Sequence, residues 1–204
     1  MAVQVRHLFK SFGEHTVLRD FSIDFPDGSR TCLMGPSGCG KTTFLYLLLG
    51  LLKADRGEIL YPRGMRMGAV FQENRLLEHL SAVRNLRLAC GRGVTQASIH
   101  CALSQVGLEE PAHLLPVSQL SGGMARRVAI VRAMLSRSEL IVMDEPLKGL
   151  DAENRSKTLD FIRQTLQGRT LVVVTHDERD PQDFDASLVR FGELDEGGSS
   201  ESRI

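Results

Sequence analysis

The sequence has no excess of either charge: its 25 lysines and arginines are matched by 25 aspartates and glutamates. With no net field to draw the chain to nucleic acid or an anionic membrane, any partner has to be recognised by a local surface. Cysteines are few, and nothing pairs them by pattern. The four, Cys32, Cys39, Cys90 and Cys101, form no CxxC and have no zinc-like spacing with histidine. They read as free thiols of a reducing compartment rather than a disulfide framework. Long hydrophobic runs are also missing. The longest, Phe44 to Leu52, is nine residues and includes Tyr46 and Gly50, whereas about 20 are needed to span a bilayer. The start alternates Val3 and Val5 with polar neighbours and shows no signal-peptide core. No motif recurs at a period of 20–50 residues. The expectation is a soluble chain that something else must anchor if it works at a membrane.

What is present is ordinary in bulk and specific in detail. With 204 residues, 42% of them hydrophobic and 25% charged, the chain can bury one α/β core, with room for a small subdomain. Residues 2–8 and 17–25 alternate apolar and polar, with Asp27-Gly28 as a turn, and predict antiparallel strands. Arg30 to Met34 is a short apolar run that feeds a glycine-rich loop, and helical character follows from Lys41 to Leu52. Between about Asn74 and Arg137 the pattern is mainly helical, broken at residues 91–93, at Gly107 and between Pro111 and Pro116. Leu140 to Met143 and Thr170 to Val174 read as central parallel strands buried on both faces, with a polar-faced helix over 152–167 between them. The final stretch, 195–204, is rich in Gly, Ser and Glu and is expected to be a flexible tail.

Three motifs carry chemistry. Gly35-Pro36-Ser37-Gly38-Cys39-Gly40-Lys41-Thr42 fits G-x-x-x-x-G-K-[ST], follows a predicted strand and opens a predicted helix. Glycines let the backbone curl so that successive N–H groups converge on phosphate oxygens, and the helix adds its positive end. Lys41 then reaches the β- and γ-phosphates of a nucleotide, and the Thr42 hydroxyl is a ligand for Mg²⁺. Thr43 completes the phosphate-binding set. The second motif is the buried run Leu140-Ile141-Val142-Met143, which ends in Asp144 and Glu145. Asp144 is placed to hold the Mg²⁺ shell and Glu145 to take or orient the proton of an attacking water. A strand that merely ends in solvated acids would look the same in isolation; beside the glycine loop the metal reading prevails. The third is Leu120-Ser121-Gly122-Gly123-Met124. Ser121 suits a helix N-cap, and Gly122 and Gly123 leave the N–H donors open to another group's oxygens.

Taken in this order, residues 2–194 resemble the ATP-binding cassette of ABC transporters. In that family the LSGG motif is the signature sequence that completes the nucleotide site of the opposing subunit. Four further matches fall in the family's order. Phe12, with Val17 nearby, matches the aromatic that stacks on adenine. Gln72 matches the loop glutamine that contacts Mg²⁺ and links the core to the helical block. Asp151 matches the loop at the dimer interface, and His176 the switch histidine near the γ-phosphate. Singly, Phe12 would be core, Gln72 a surface amide and His176 a strand-end histidine. Seven elements in one sequence order decide otherwise. The chain also departs from the family pattern. Met124 stands where glutamine is usual, Ala125 where a polar residue is common, and Lys148-Gly149 where Ser-Ala is frequent, while Asp180-Pro181 alters the segment after His176. None removes a phosphate-, metal- or water-handling group.

The resemblance implies an α/β P-loop NTPase core over residues 1–73 and 138–194, an N-terminal antiparallel β subdomain and an inserted helical subdomain over about 74–137. It implies ATP and Mg²⁺ as cofactors, and catalysis by Lys41, Gln72, Glu145 and His176. It implies two cassettes, the second a further copy of the chain, docked on separate transmembrane permease subunits through Leu76 to Leu88. That places the chain peripherally on the cytoplasmic face of a membrane. The stretches 71–77 and 146–151 resemble cassettes of nitrate, sulfonate, taurine or thiamine-precursor importers. Cassettes that act on nucleic acid carry coiled coils, zinc insertions or a second fused cassette, and the balanced charge here leaves no phosphate-binding footprint. A regulatory module with little turnover would not need Glu145 and His176.

Overall fold

The computed structural model describes residues 2–91 and 93–191, so the tail expected at 195–204 lies outside the described residues. The chain begins with strands β1 (Val3–Phe12), β2 (His15–Phe25) and β3 (Arg30–Met34), helix α1 (Lys41–Leu48), and strands β4 (Arg56–Leu60) and β5 (Met67–Val70). Three helices follow, α2 (Ala82–Ala89), α3 (Gln96–Gln105) and α4 (Gly122–Leu135), with a 3-10 turn at Val117–Gln119 before the last. The chain then runs through β6 (Leu140–Asp144), α5 (Ala152–Leu166), β7 (Thr170–Val174), α6 (Asp180–Asp183) and β8 (Ser187–Arg190). Contacts divide the described residues into two compact units, one built from 2–65 with 172–191 and the other from within 66–171.

In the first unit β2, β1 and β4 form an antiparallel sheet in that order. A tight loop at Gly13 (φ 59°) places Phe12 opposite His15. Register shifts along β1 are taken up by His7 (φ 48°) and, on β2, by Asp20 (φ 52°). Asp55 fastens the entry of β4, accepting from Lys10 Nζ and from the Ser11 N–H, both at 2.7 Å. The parallel strands run β7-β3-β8. Every residue of β7, and all of β3 except Arg30, is buried, which is why both read in sequence as continuous apolar runs. Helix α1 is held by an aromatic cluster in which Phe44 meets Phe21 edge-on at 4.9 Å and Phe191 at 5.7 Å. The helix expected to reach Leu52 stops at Leu48. Gly50 (φ 67°) turns the chain, and the Leu51 and Gly50 N–H groups close back on the carbonyls of Tyr46 and Leu47.

In the second unit β5 runs parallel to β6, with Met67 opposite Leu140. The four longer helices of this unit start on side-chain caps that the sequence supplies: Ser81, Thr95, Ser121 and Asp151 each accept from the backbone N–H three residues on. Helix α4 is buried over Ala125 to Val131, arginines included, so it is core rather than an amphipathic surface helix.

Strand β4 crosses the irregular part of β1 at its closest point through Gly57. This residue has φ 82°, and a Cβ there would lie 2.1 Å from the His7 carbonyl oxygen. Gly57→Ala is expected to lower stability by about 1–3 kcal/mol, the scale of a strained backbone held in place, as a reduced urea midpoint at unchanged slope.

Candidate nucleotide site

The strand–loop–helix order forecast around the glycine motif is present in the first unit, where β3 ends at Met34 and α1 opens at Lys41. Close approach explains two of the glycines. At Gly35 a Cβ would meet the Phe191 carbonyl oxygen at 2.5 Å, and at Gly40 (φ 99°) it would meet Val17 Cγ1 at 2.6 Å. Val17, expected near the base of a nucleotide, thus packs against the end of the loop. Gly38 has φ 81° and nothing within 4 Å of its Cβ position, so its freedom serves the turn alone. No acid occupies the first turn of α1, which holds Thr42 and Thr43, so no carboxylate of that turn opposes the helix's positive end. Lys41 Nζ arches over the loop and donates to the carbonyls of Gly35 and Pro36, each at 2.7 Å.

His176 enters the same place from β7. A cavity of about 520 Å³ is lined by Met34, Gly35, Pro36, Cys39, His176, Arg190 and Phe191. The approach to His176 is fixed by Thr175, which is buried, receives the Asp177 N–H at 3.0 Å and donates its hydroxyl to buried Asp180 at 2.5 Å. The Asp180-Pro181 departure therefore has a local purpose: its carboxylate locks the residue before the histidine. Beneath it, burial first and the Asp180 charge second push the Cys32 thiol up to about 12. Phe12 is 52% exposed, with the Lys10 ammonium 5.3 Å from its ring centroid.

The second unit gathers Gln72, Asp144, Glu145 and the signature helix, and it does so through a residue the motifs do not mark. Arg126, 6% exposed on α4, donates to the carbonyls of Phe71 and Asp144, to Glu145 O at 2.6 Å, to Pro146 O at 3.2 Å and to Gln72 O at 3.4 Å. Burial lowers its pKa, and the nearby Asp144 and Glu145 charges oppose that. A second arginine on the same helix, Arg132, holds the next part of the loop through the carbonyls of Arg75 at 2.6 Å and Asn74 at 3.1 Å. Asp144 is buried at the end of β6. Glu145 adopts φ 46°, and its carboxylate meets Lys148 Nζ at 2.5 Å, so the lysine that departs from the family pattern orients the candidate base.

At the head of α4, Ser121 accepts from the Met124 N–H at 3.2 Å. Ser121 and Gly122 are exposed, and the space around Gly122 is open within 4 Å. Gly123 faces the 149–151 loop, with Gly149 O 3.8 Å from its Cβ position. Asp151 caps α5 by accepting from Asn154 N at 2.9 Å and Nδ2 at 2.6 Å, and the backbone bond above all holds its carboxyl below the usual range. Arg126 and Arg190 were not singled out in the sequence. Neither belongs to a motif, and only the acceptors around Arg126, 18 to 55 residues away, give it meaning.

The chain is similar to ATP-binding proteins of transporters. A family model described as ABC transporter matches residues 18–148. The sulfate/thiosulfate import ATP-binding protein CysA of Burkholderia mallei is 32% identical over 224 positions, covering 99% of this chain and 64% of the relative. The aliphatic sulfonates import ATP-binding protein SsuB 2 of Pseudomonas syringae pv. tomato is 38% identical over 170 positions, covering 82% of this chain and 72% of the relative. The chain therefore spans less than two thirds of the CysA sequence. Among solved structures, a dimeric post-hydrolysis ATP-binding cassette bound to ADP and Pi is 28% identical, with TM-score 0.80 over 93% of this chain and 94% of that one.

Removing the Arg126 guanidinium strips donors from several buried carbonyls, and a buried acceptor without a partner costs about 1–3 kcal/mol. Arg126→Met is expected to destabilise the chain by more than about 3 kcal/mol in urea unfolding, whereas Arg190→Met on the cavity rim leaves the midpoint within about 0.5 kcal/mol.

Proposed function

The chain belongs to the ABC transporter family, and from that premise we propose that it is the ATP-binding and ATP-hydrolysing subunit of an importer whose membrane-spanning parts are separate proteins. The observation that carries the proposal is the single cavity lined by both the glycine loop and His176. A loop that cradles phosphate needs a group beside it that responds to the terminal phosphoryl, and a strand-end imidazole fixed through Thr175 is suited to that task.

In this reading Gly35, Pro36, Ser37, Gly38, Cys39 and Gly40 present backbone N–H groups to the phosphates, and Phe12 and Val17 receive the base. Lys41 exchanges its two carbonyl acceptors for phosphate oxygens. Thr42, Asp144 and Gln72 offer a hydroxyl, a carboxylate and an amide oxygen, the hard donors that Mg²⁺ prefers. Mg²⁺, when bound, neutralises phosphate charge. Glu145 takes a proton from the water whose oxygen attacks the γ-phosphorus as its bond to the ADP oxygen breaks.

The exposed signature start supports a dimer. Ser121, Gly122 and Gly123 present donors on the surface of their own unit, as needed to serve the γ-phosphate bound by a second copy arranged head to tail, with Asp151 at the interface. ATP then holds the copies together and hydrolysis releases them, a two-state element biased by a ligand. Docking on permease subunits is supported by the face beside the Gln72 loop. A groove of about 530 Å³ there is lined by residues including Glu73, Leu76, Glu78 and Val117. Leu77 and Leu88, within the stretch 76–88, are 48% and 69% exposed, apolar area that a partner helix would cover. Among the described residues no helix is long and apolar enough to cross a membrane. Attachment at the cytoplasmic face through those partners is part of the same proposal.

Glu145→Gln is expected to keep ATP affinity within a few-fold, to lower hydrolysis by at least ~10² and to accumulate an ATP-dependent dimer on size exclusion. Unchanged turnover in that variant would remove Glu145 as the base. His176→Ala is expected to slow turnover by about 10². Site location can be tested without turnover: Mg-ATP should slow maleimide labelling of Cys39 in the loop and leave that of exposed Cys101 unaffected, with buried Cys32 silent at pH 8. Equal labelling of Cys39 with and without nucleotide would contradict the placement.

A further inference from the structure

Away from the nucleotide groups, three side chains of metal-ligating type meet in the helical block: His100 on α3, and Glu110 and His113 on the segment after it. His100 Nδ1 lies 3.0 Å from His113 Nδ1 and 3.0 Å from Glu110 Oε1, and the remaining pair is 4.0 Å apart. His113 is 1% exposed. Its Nε2 contacts the Leu108 carbonyl oxygen, which can only accept, so Nε2 carries the proton. In the neutral ring the lone pair is then on Nδ1, the atom that faces His100. A ring whose far N–H is tied to a backbone carbonyl is the arrangement that orients and strengthens a metal-ligating histidine.

We propose that His100, Glu110 and His113 form a binding site for a divalent transition metal of the zinc class, separate from the nucleotide site. Two imidazole nitrogens and one carboxylate oxygen suit such an ion, whereas Mg²⁺ and Ca²⁺ select oxygen alone. With bonds of 2.0–2.1 Å, tetrahedral geometry sets two nitrogens about 3.3 Å apart, so the rings have to part by only a few tenths of an ångström. The Glu110 side chain is 65% exposed, which leaves the fourth position to water. Binding joins α3 to the loop that starts α2, because the His113 carbonyl accepts the Val83 N–H at 3.2 Å in the first turn of that helix. One ion therefore stiffens two helices through one residue.

The test uses the full chain, tag-free, metal-stripped and without nucleotide, titrated with Zn²⁺ against a chromophoric chelator. One equivalent should bind, and a hundredfold excess over Kd should raise Tm by about 5–10 °C. Co²⁺ in its place should give the visible band of a four-coordinate ion. His100→Ala should weaken binding by more than about 100-fold, beyond the loss of an outer-shell partner, while circular dichroism and ATP hydrolysis stay at wild-type values. Glu110→Gln, which alters only an exposed side chain, gives the same comparison if His100→Ala fails to fold. No stoichiometric binding by the wild type, or binding undiminished in these variants, overturns the proposal and leaves a proton-bridged histidine pair.

Discussion

The second unit is organised around the need to satisfy backbone carbonyls where two strands end. The segment after β5 and the end of β6 with the residues beyond it present Phe71, Gln72, Asp144, Glu145 and Pro146 oxygens toward Arg126, and apart from Asp144 none of these residues is in a strand or helix. The Arg126 guanidinium meets them all. A delocalised, weakly hydrated cation with a planar fork of donors suits such a place, where a lysine could reach one or two oxygens and would carry a larger desolvation penalty. Because Arg126 sits five residues into the signature helix, the same side chain that relieves the carbonyls also fixes the heading of that helix. The glutamine loop, the candidate metal-binding aspartate, the candidate base and the signature start thus share one anchor, and a shift of α4 is transmitted to each.

The first unit solves a different problem, that of bringing backbone close to backbone. Gly35 and Gly40 stand where a side chain would strike the Phe191 carbonyl and Val17, and Gly57 stands where β4 crosses the irregular stretch of β1. The proposed chemistry places the same demand at Gly35 and Gly40 as the fold does: an amide that is to face a phosphate has to come from a chain that nothing else crowds. The acid–hydroxyl pair Asp180–Thr175 supplies rigidity where the glycines supply freedom, and together they set the two walls of the cavity.

The sequence was most legible where local structure is written contiguously. The phosphate loop, the acid pair at the end of β6 and the Ser121 cap are each a short run whose chemistry needs neighbours in sequence, and strands β6 and β7 are apolar throughout because both faces are covered. It was least legible where meaning depends on distant partners. Strand β4 is nearly all exposed and β8 is short with a polar edge, so neither shows the alternation that marks a strand. Leu51 and Leu52 continue the apolar run of α1 in sequence, although the helix ends at Leu48 and Gly50 turns the chain. Arg126 looked like one more basic residue on a helix, and His100 and His113 are separated by a spacing that no metal motif prescribes. Asp151, assigned to an interface, also has a purely local task in starting α5.

The contact between Gly35 and Phe191 ties the last described residue to the glycine loop. The Phe191 N–H bonds to the Met34 carbonyl at 2.6 Å, its ring packs on Phe44 of α1, and its own carbonyl occupies the space a larger residue at 35 would need. The residue that follows β8 is therefore a lever arm resting on the first glycine of the phosphate loop. Tension applied to the backbone just beyond it would be felt, through a packed and poorly compressible interior, as a change in the curvature of that loop.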